Sequence, residues 1–377
     1  MAIASIELLT NVFKEKSCRG LNIKKTLGCW AIICTTVILN AADQDETLSR
    51  SLVVQWDNDL LTGTDRDYTN GARIAYVNEL KPDSKADNFL RSALAYLSGI
   101  QEKSFLPDHR FAKTDEVQFH WGTGLTQLMY TPEDPNAMTA PDGERPYAGW
   151  LGLEFTLYAN TYQSANSVTL SIGTTGENSF AEEAQEWVHT SISGSPIFQG
   201  WDSQVPGEAT INLHFDRKQR IGFLDAESRK TIQIDGYYEW GAAIGNFRTD
   251  AYLGSLVRLG YNLPEEYTMP RVQLGSSGHI LFNRRGKNFS NDFSILTFAG
   301  VRAYGVLHDI TLDGPVFRDF DTGVDSEPLV GEVIVGFNLR WKALEASLSH
   351  TIRTDEFAGQ RENLEFGSVM ARLSGKF

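Results

Sequence analysis

Cysteine is absent from most of this 377-residue sequence. All three cysteines, Cys18, Cys29 and Cys34, lie within the first 42 residues. A protein that has lost those residues has no thiol and no disulfide, which excludes a cysteine nucleophile and a thiolate metal site. Exported domains with a weak core commonly depend on disulfides, so the remaining chain must be stabilised in another way.

Positive charge is also scarce. The formal net charge is −14, and the first 42 residues hold five of the 34 Lys and Arg residues but only two of the 48 Asp and Glu residues. The remaining chain has 29 basic and 46 acidic residues, a net charge of −17. Sequence-independent binding of nucleic acid needs a basic surface that meets phosphate. The composition therefore excludes that function, and it is compatible with bound divalent cations.

The apolar stretch near the N-terminus is short. Residues 26–39 (TLGCWAIICTTVIL) number fourteen, fewer than the roughly 20 that cross a bilayer as a helix. Lys24 and Lys25 precede this stretch, and Ala41 and Ala42 follow it as small residues typical of a cleavage site. We interpret residues 1–42 as a leader with a signal peptide and residues 43–377 as one exported domain. An uncleaved membrane anchor is the alternative.

Alternation of apolar and polar residues dominates the sequence from residue 50 onward. Between Ala209 and Asp216, for example, every second residue is apolar, the pattern of a strand with one apolar and one polar face. The same period recurs in twelve segments that start near residues 50, 70, 117, 148, 166, 208, 230, 250, 292, 330, 342 and 363. Many are about ten residues or longer, which matches a tilted strand that crosses a bilayer.

Twelve long amphipathic strands behind an export signal predict an all-β protein, a twelve-stranded antiparallel transmembrane β-barrel of the outer membrane. The final strand alternates up to Phe377, and a terminal aromatic residue of this kind resembles the signal that outer-membrane proteins present to the barrel assembly machinery. A soluble β-sandwich is the alternative fold. The sequence also predicts a short helix at residues 85–99, in the first of two long periplasmic connections, 81–116 and 263–291.

Three loops are expected at one end of the barrel. With both termini in the periplasm, residues 59–69, 130–148 and 175–207 all open at the outer rim. The first loop lies within a stretch rich in oxygen ligands, WDNDLLTGTDRDYTNG (residues 56–71). The third contains AEEAQEWVHTSIS (residues 181–193), whose composition up to His189 predicts a short helix with Gln185 and His189 on one face.

These two segments could form a polar reaction centre. A histidine beside a carboxylate is the usual arrangement of a general base that activates water, and carboxylate and carbonyl oxygens can hold a hard cation that polarises an ester. The ordinary alternatives are a solvated hairpin loop and a surface histidine. The spacing around Asp57 and Asp59 does not fit an EF-hand, and neither H-E-x-x-H nor G-x-S-x-G occurs.

Several short motifs resemble one family, the lipid A 3′-O-deacylases of Gram-negative outer membranes. The pair Gln185-x-x-x-His189 matches, and the other matching segments are DND (57–59), DYTNG (67–71), MYTP (129–132), RPYAGW (145–150), GWDSQ (200–204), EFAGQ (356–360) and FGS (366–368). The resemblance implies a twelve-stranded barrel and a Ca²⁺-dependent esterase that removes the acyl chains at the 3′ position of lipid A.

The resemblance also implies roles for particular residues. His189 looks like the base that activates water, and Asp59 looks like a Ca²⁺ ligand or an orienter of the site. Asn58, Thr69 and Gln185 look like residues that place the ester and its oxyanion. Where a Lys-Arg pair is expected in the 130–148 loop, Arg145 is the only cation of residues 133–145, which makes it the candidate for binding the phosphates of the substrate.

The resulting hypothesis is an outer-membrane esterase that acts on lipid A, or on the lipopolysaccharide that carries it, with its site towards the cell exterior. Two alternatives remain open at this point. One is an outer-membrane phospholipase or another lipid esterase, and the other is a non-catalytic barrel such as a pore.

Overall fold

The computed structural model describes residues 50–58, 67–80, 117–161, 163–222, 232–264, 266–272, 274–275, 279–280 and 293–375. The predicted leader, the predicted helix at 85–99, Asp59 and Phe377 lie outside these ranges. Among the described residues, no helix is both long and apolar enough to cross a membrane.

Twelve antiparallel strands close into a barrel, as the alternation predicts. The barrel strands are β1 (Arg50–Asn58), β2 (Asp67–Glu79), β3 (Gln118–Thr131), β4 (Ala148–Asn160), β5 (Ser164–Thr175), β6 (Ala209–Gly222), β7 (Ile232–Gly245), β8 (Arg248–Tyr261), β11 (Ser294–Asp309), β12 (Leu329–Trp341), β13 (Leu344–Arg353) and β14 (Leu364–Gly375). Strand β1 pairs with β2 on one side and with β14 on the other, which closes the ring. Every predicted start lies within three residues of an observed one.

A few shorter elements lie between the barrel strands. Two short strands, β9 (Tyr267–Thr268) and β10 (His279–Ile280), pair with each other rather than with the barrel. Helix α1 (Ala181–Val188) lies in the predicted third loop and continues as a π-helical turn, His189–Ser193. Helix α2 (Ile310–Asp313) follows β11. The helix expected between residues 181 and 193 is therefore present.

The apolar face of most barrel strands points away from the barrel axis. In β12, Val333, Val335 and Phe337 are exposed, whereas Glu332 and Asn338 on the opposite face are buried. Exposed apolar residues recur around the outer wall, including Ile74, Leu125, Leu153, Phe155, Ile172, Ile211, Leu253, Val301 and Leu348. This arrangement is the reverse of a soluble protein and is the one expected where the outer wall meets lipid.

Ion pairs fill much of the barrel interior. Arg372 Nη1 lies 2.9 Å from Glu266 Oε2, and Arg353 Nε lies 2.9 Å from Glu332 Oε2. Arg302 also pairs with Glu239. A buried charge is tolerated when a partner and additional hydrogen bonds satisfy it, and these contacts supply the partners.

A segment of the predicted long connection 263–291 lies inside the lumen. We refer to residues 266–272 and 274–275 as the luminal segment. It forms hydrogen bonds with several strands of the barrel. Gln55 Nε2 of β1 donates to Arg271 O (3.0 Å), and Tyr267 OH donates to Gly236 O of β7 (3.0 Å). Gly275 N donates to Glu154 Oε1 of β4 (2.9 Å). The luminal segment therefore occupies the space that an open pore would need.

Candidate active site on the outer wall of the barrel

The site begins at the end of β1, where two adjacent polar residues face opposite sides of the wall. Strand alternation places Asp57 on the luminal face with Gln55, and Asn58 on the outer face with Val54. Val54 is 45% exposed, but Asn58 is 1% exposed. A polar side chain on the outer wall is thus covered, although the apolar residue four positions earlier is open.

A β-bulge in β2 brings Thr69 to the same place. The register between β2 and β3 shifts between Tyr68 and Asn70, so Thr69 is an extra residue in its strand. The carbonyl oxygen of Thr69 accepts a hydrogen bond from Asn58 Nδ2 (3.0 Å), and its hydroxyl lies 2.7 Å from the hydroxyl of Thr131 at the end of β3. Asn58, Thr69 and Thr131 therefore form one buried polar group.

Helix α1 lies against the outer wall rather than above the lumen. Gln127 Nε2, on the outward face of β3, donates to the carbonyl oxygens of Ser179 (2.7 Å) and Phe180 (3.0 Å) just before the helix. In β4, a Cβ added at Gly149 would lie 2.2 Å from Ser179 Oγ and 2.5 Å from Ala181 Cβ. Gly149 is therefore needed for the helix to approach the wall this closely.

Aromatic residues pack between helix α1 and the outer wall of the barrel. Met129, two residues before Thr131 on the same face of β3, belongs to a buried cluster with Tyr147, Ala181, Phe198 and Trp201. Rings of Tyr147 and Trp201 meet edge to face with centroids 5.4 Å apart, a favourable aromatic geometry. The cluster connects the ends of β3 and β4 to the third loop, so the predicted second and third loops lie at the same end of the barrel.

Gln185 and His189 are both buried under this cover, each 2% exposed. Trp201 Nε1 donates to Gln185 Oε1 (2.8 Å), which orients the amide. Among the described residues, no acceptor lies within hydrogen-bonding distance of Gln185 Nε2. Buried donors are nearly always paired, so this nitrogen is a candidate for contact with a bound oxygen.

The hydrogen-bond partner of His189 Nδ1 determines which ring nitrogen carries the hydrogen. His189 Nδ1 lies 2.6 Å from the carbonyl oxygen of Pro196. A carbonyl oxygen only accepts, so in the neutral ring Nδ1 carries the hydrogen and Nε2 carries the lone pair. The histidine also begins the π-helical turn, a local distortion that is frequent at functional sites. In this tautomer, Nε2 is the ring nitrogen that can accept a proton.

Arg145 lies on the other side of the wall. Its Nη1 lies 2.6 Å from Glu356 Oε2, its Nη2 donates to Thr311 Oγ1 (2.9 Å), and its guanidinium stacks 4.4 Å from the ring centroid of Tyr130. These partners join three loops at the luminal side of the rim. A role for Arg145 in binding substrate stays a prediction.

The Ca²⁺ site also stays a prediction. Within the described ranges, no group of three or more His, Cys, Asp and Glu residues is arranged to hold a metal ion, and Asp59 lies outside those ranges. Asn58 and Thr69 do fit a hard cation, since they supply carboxamide, carbonyl and hydroxyl oxygens and calcium prefers oxygen ligands.

The outer surface of the third loop is both acidic and apolar. Burial and the nearby carboxylates of Glu183 and Asp202 raise the pKa of Glu182. Phe180, Trp187 and Ile197 are exposed on the same loop, and aromatic residues of this kind are typical of a membrane interface. The cover of the site thus presents apolar side chains to its surroundings.

Four further residues, Thr131, Pro196, Phe198 and Trp201, have no role predicted from the sequence. Thr131 and Trp201 lie within the quoted motifs MYTP and GWDSQ. The available signal was the end of a strand for Thr131, whereas Trp201 is one of two tryptophans in the third loop, with Trp187. Pro196 acts through its backbone carbonyl, for which the sequence carries no signal.

These features define an integral outer-membrane protein with a covered polar site on the lipid-facing side of its wall. Residues 28–374 match the family model described as "Outer membrane protein LpxR". The chain belongs to this family, the lipid A 3′-O-deacylases, and is an outer-membrane enzyme that modifies lipid A.

Solved structures agree with the fold. LpxR from Salmonella typhimurium superposes with a TM-score of 0.63 at 20% identity, over 86% of this chain and 99% of that chain. The β-domain of the Bordetella autotransporter BrkA reaches a TM-score of 0.38 at 8% identity, over 87% and 98% of the two chains, too low for any argument. No curated protein matches the sequence.

Proposed function

We propose that this protein hydrolyses the ester that links acyl chains to the 3′ position of lipid A, with its site towards the cell exterior. The observation that carries the proposal is the position of the site on the outer wall, between the barrel and α1. Lipid A lies within the outer leaflet, so a lipid-facing site can receive its ester by lateral movement. A luminal site could not.

The chemistry assigns a task to each buried residue. His189 Nε2 takes a proton from water, and the water oxygen attacks the ester carbonyl carbon. Gln185 Nε2 donates to the oxyanion that forms, a contact that strengthens as charge develops. Collapse of the tetrahedral intermediate breaks the bond to the sugar oxygen, which receives the proton from His189. The products are the free acid and a 3′-hydroxyl.

Three further residues complete the proposed site. Asn58, Thr69 and Asp59 would hold Ca²⁺, which when bound supplies positive charge beside the ester carbonyl. Asn58 and Thr69 are already fixed to each other through the 3.0 Å hydrogen bond, so little reorganisation is needed. The apolar residues Phe180, Trp187 and Ile197 around the cover suit the acyl chains of a lipid substrate.

Mass spectrometry of lipid A from cells that express the protein tests this proposal. We expect loss of the 3′-linked acyl chains, and no loss when a chelator is present or when His189 is replaced by alanine. Heat-modifiable mobility in gels shows whether each variant is folded. Unchanged lipid A with a folded wild-type barrel would refute the proposed reaction.

Two controls address the alternatives. Release of fatty acid from phospholipids, measured in the same membranes, distinguishes a general lipid esterase from an enzyme specific for lipid A. Conductance in planar bilayers tests for a pore. The luminal segment bonds to β1, β4 and β7 across the lumen, which favours a closed barrel.

A further inference from the structure

Asp57 is buried on the luminal face of β1, directly before Asn58, and is 0% exposed. Its Oδ2 accepts a hydrogen bond from the backbone nitrogen of Val272 (2.9 Å) and another from the hydroxyl of Tyr68 (3.2 Å). One donor belongs to the luminal segment, and the other belongs to the bulge in β2. A single carboxylate oxygen thus connects three parts of the molecule.

The first connection fixes the end of β1. Gln55, two residues earlier on the same face, donates to Arg271 O (3.0 Å), which is a separate contact of the luminal segment. The backbone of Asp57 and Asn58 pairs with β2 and with β14. The bond from Val272 N adds a contact to the side chain of Asp57, directly before Asn58.

The second connection fixes the bulge in β2. Tyr68 is 4% exposed and packs against Phe366 and Tyr130, with ring centroids 4.9 Å and 5.3 Å away. Its hydroxyl lies over Gly71, where an added Cβ would be 1.8 Å from it. Because Tyr68 is held in the lumen, the following extra residue, Thr69, is turned towards the outer wall.

The two connections of Asp57 therefore both affect one hydrogen bond of the site, the bond between Asn58 and Thr69. Asn58 follows Asp57, Thr69 follows Tyr68, and Asn58 Nδ2 donates to Thr69 O. A displacement of about 1 Å in a catalytic constellation can lower a rate about 10²-fold, so a contact that holds these two residues in place can affect the rate.

We infer that Asp57 is a positioning residue, which holds Asn58 and Thr69 in register from inside the barrel through Tyr68 and the luminal segment. This inference rests on the proposed function of the Asn58–Thr69 pair. It assigns the luminal segment a part in the reaction, since Val272 contributes one of the two donors. The segment acts from the side of the wall that substrate does not reach.

Four variants test the inference. Asp57→Ala removes both bonds and is expected to lower kcat by about 10²-fold with little change in KM, because the residue does not touch substrate. Asp57→Asn keeps an acceptor for Val272 and should recover most of the activity. Tyr68→Phe removes only the hydrogen bond from the Tyr68 hydroxyl, so its kcat should lie between those of Asp57→Ala and Asp57→Asn. Gln55→Ala is the matched control, since it removes a contact to the same segment away from the site.

A second measurement is independent of activity. Hydrogen exchange of the amides of residues 67–71 should become faster in Asp57→Ala and stay unchanged in Gln55→Ala. Full activity in folded Asp57→Ala, or an equal loss in Gln55→Ala, would overturn the inference. If Asp57→Ala does not fold, Tyr68→Phe decides by the same criteria. If the wild-type protein is inactive, the proposed function fails, and exchange alone then decides whether Asp57 orders the strand ends.

Discussion

His189 Nδ1 lies 2.6 Å from the carbonyl oxygen of Pro196. The two residues bracket the turn that follows α1, so the fold of the loop itself holds the proton on Nδ1 and directs the lone pair of Nε2 elsewhere. In the proposed mechanism, the base is therefore oriented by a backbone carbonyl, where a Ser-His-Asp triad uses the carboxylate of the aspartate.

Replacement of His189 by alanine should lower kcat by about 10² to 10⁴-fold, the range that a general base contributes. Acyl release from lipid A, followed by mass spectrometry, measures the effect. His350 is a suitable control, because its half-exposed ring pairs with Glu365 on the outer wall. We expect His350→Ala to retain the wild-type rate, and equal losses in both variants would contradict the role of His189.

Gln185 should matter mainly in the transition state. Its buried Nε2 has no acceptor among the described residues, so a developing oxyanion can use it without competition. Gln185→Ala is expected to lower kcat by about 10² to 10³-fold with a smaller change in KM. Trp201→Phe removes the indole donor that orients the amide and should give a smaller loss of the same kind.

The close approach of α1 to the wall can be tested at Gly149. A side chain there would collide with Ser179 and Ala181, so Gly149→Val should displace the helix and abolish activity while the barrel stays folded. Gly305 is the matched glycine, since an added Cβ would find its nearest neighbour 3.9 Å away. Gly305→Ala should be active, and an active Gly149→Val would show that helix placement is not critical.

Acid should weaken the contact between Arg145 and Glu356. Burial raises the pKa of Glu356, but Arg145 and Arg353 outweigh it and hold the pKa below its ordinary value. A depressed carboxyl pKa contributes stability above the unfolded value, about 4.3, and this contribution is lost as pH falls through the folded value. The resistance of the wild-type protein to unfolding by urea should therefore decrease when the pH is lowered below about 4.3.

The variant Glu356→Gln isolates this effect. It should be less stable than wild type at pH 7 and lose less stability on acidification, because it has no carboxylate to protonate. Glu362→Gln, an exposed position in the same loop, should follow the wild-type curve. Parallel curves for Glu356→Gln and wild type would contradict the assignment.

Much of the barrel was predictable because a strand between lipid and a polar lumen must alternate. Segment starts near residues 148, 208 and 330 agree with β4, β6 and β12, and the helix in the third loop follows from its composition. The luminal segment was not predictable, because its contacts come from strands up to 216 residues away. Its own sequence has no period that indicates a partner.

The sequence by itself determined which residues are available for chemistry: no cysteine after residue 34, a histidine four residues after a glutamine, and an oxygen-rich stretch at a strand end. Only the tertiary structure decided on which side of the wall they act. In a regular strand, alternate residues lie on opposite faces, so the sequence predicts which face each residue occupies. The bulge at Thr69 adds a residue and breaks this alternation. Asp57 and Asn58 are then distinguished by what packs on each face, the luminal segment inside and the covered site outside.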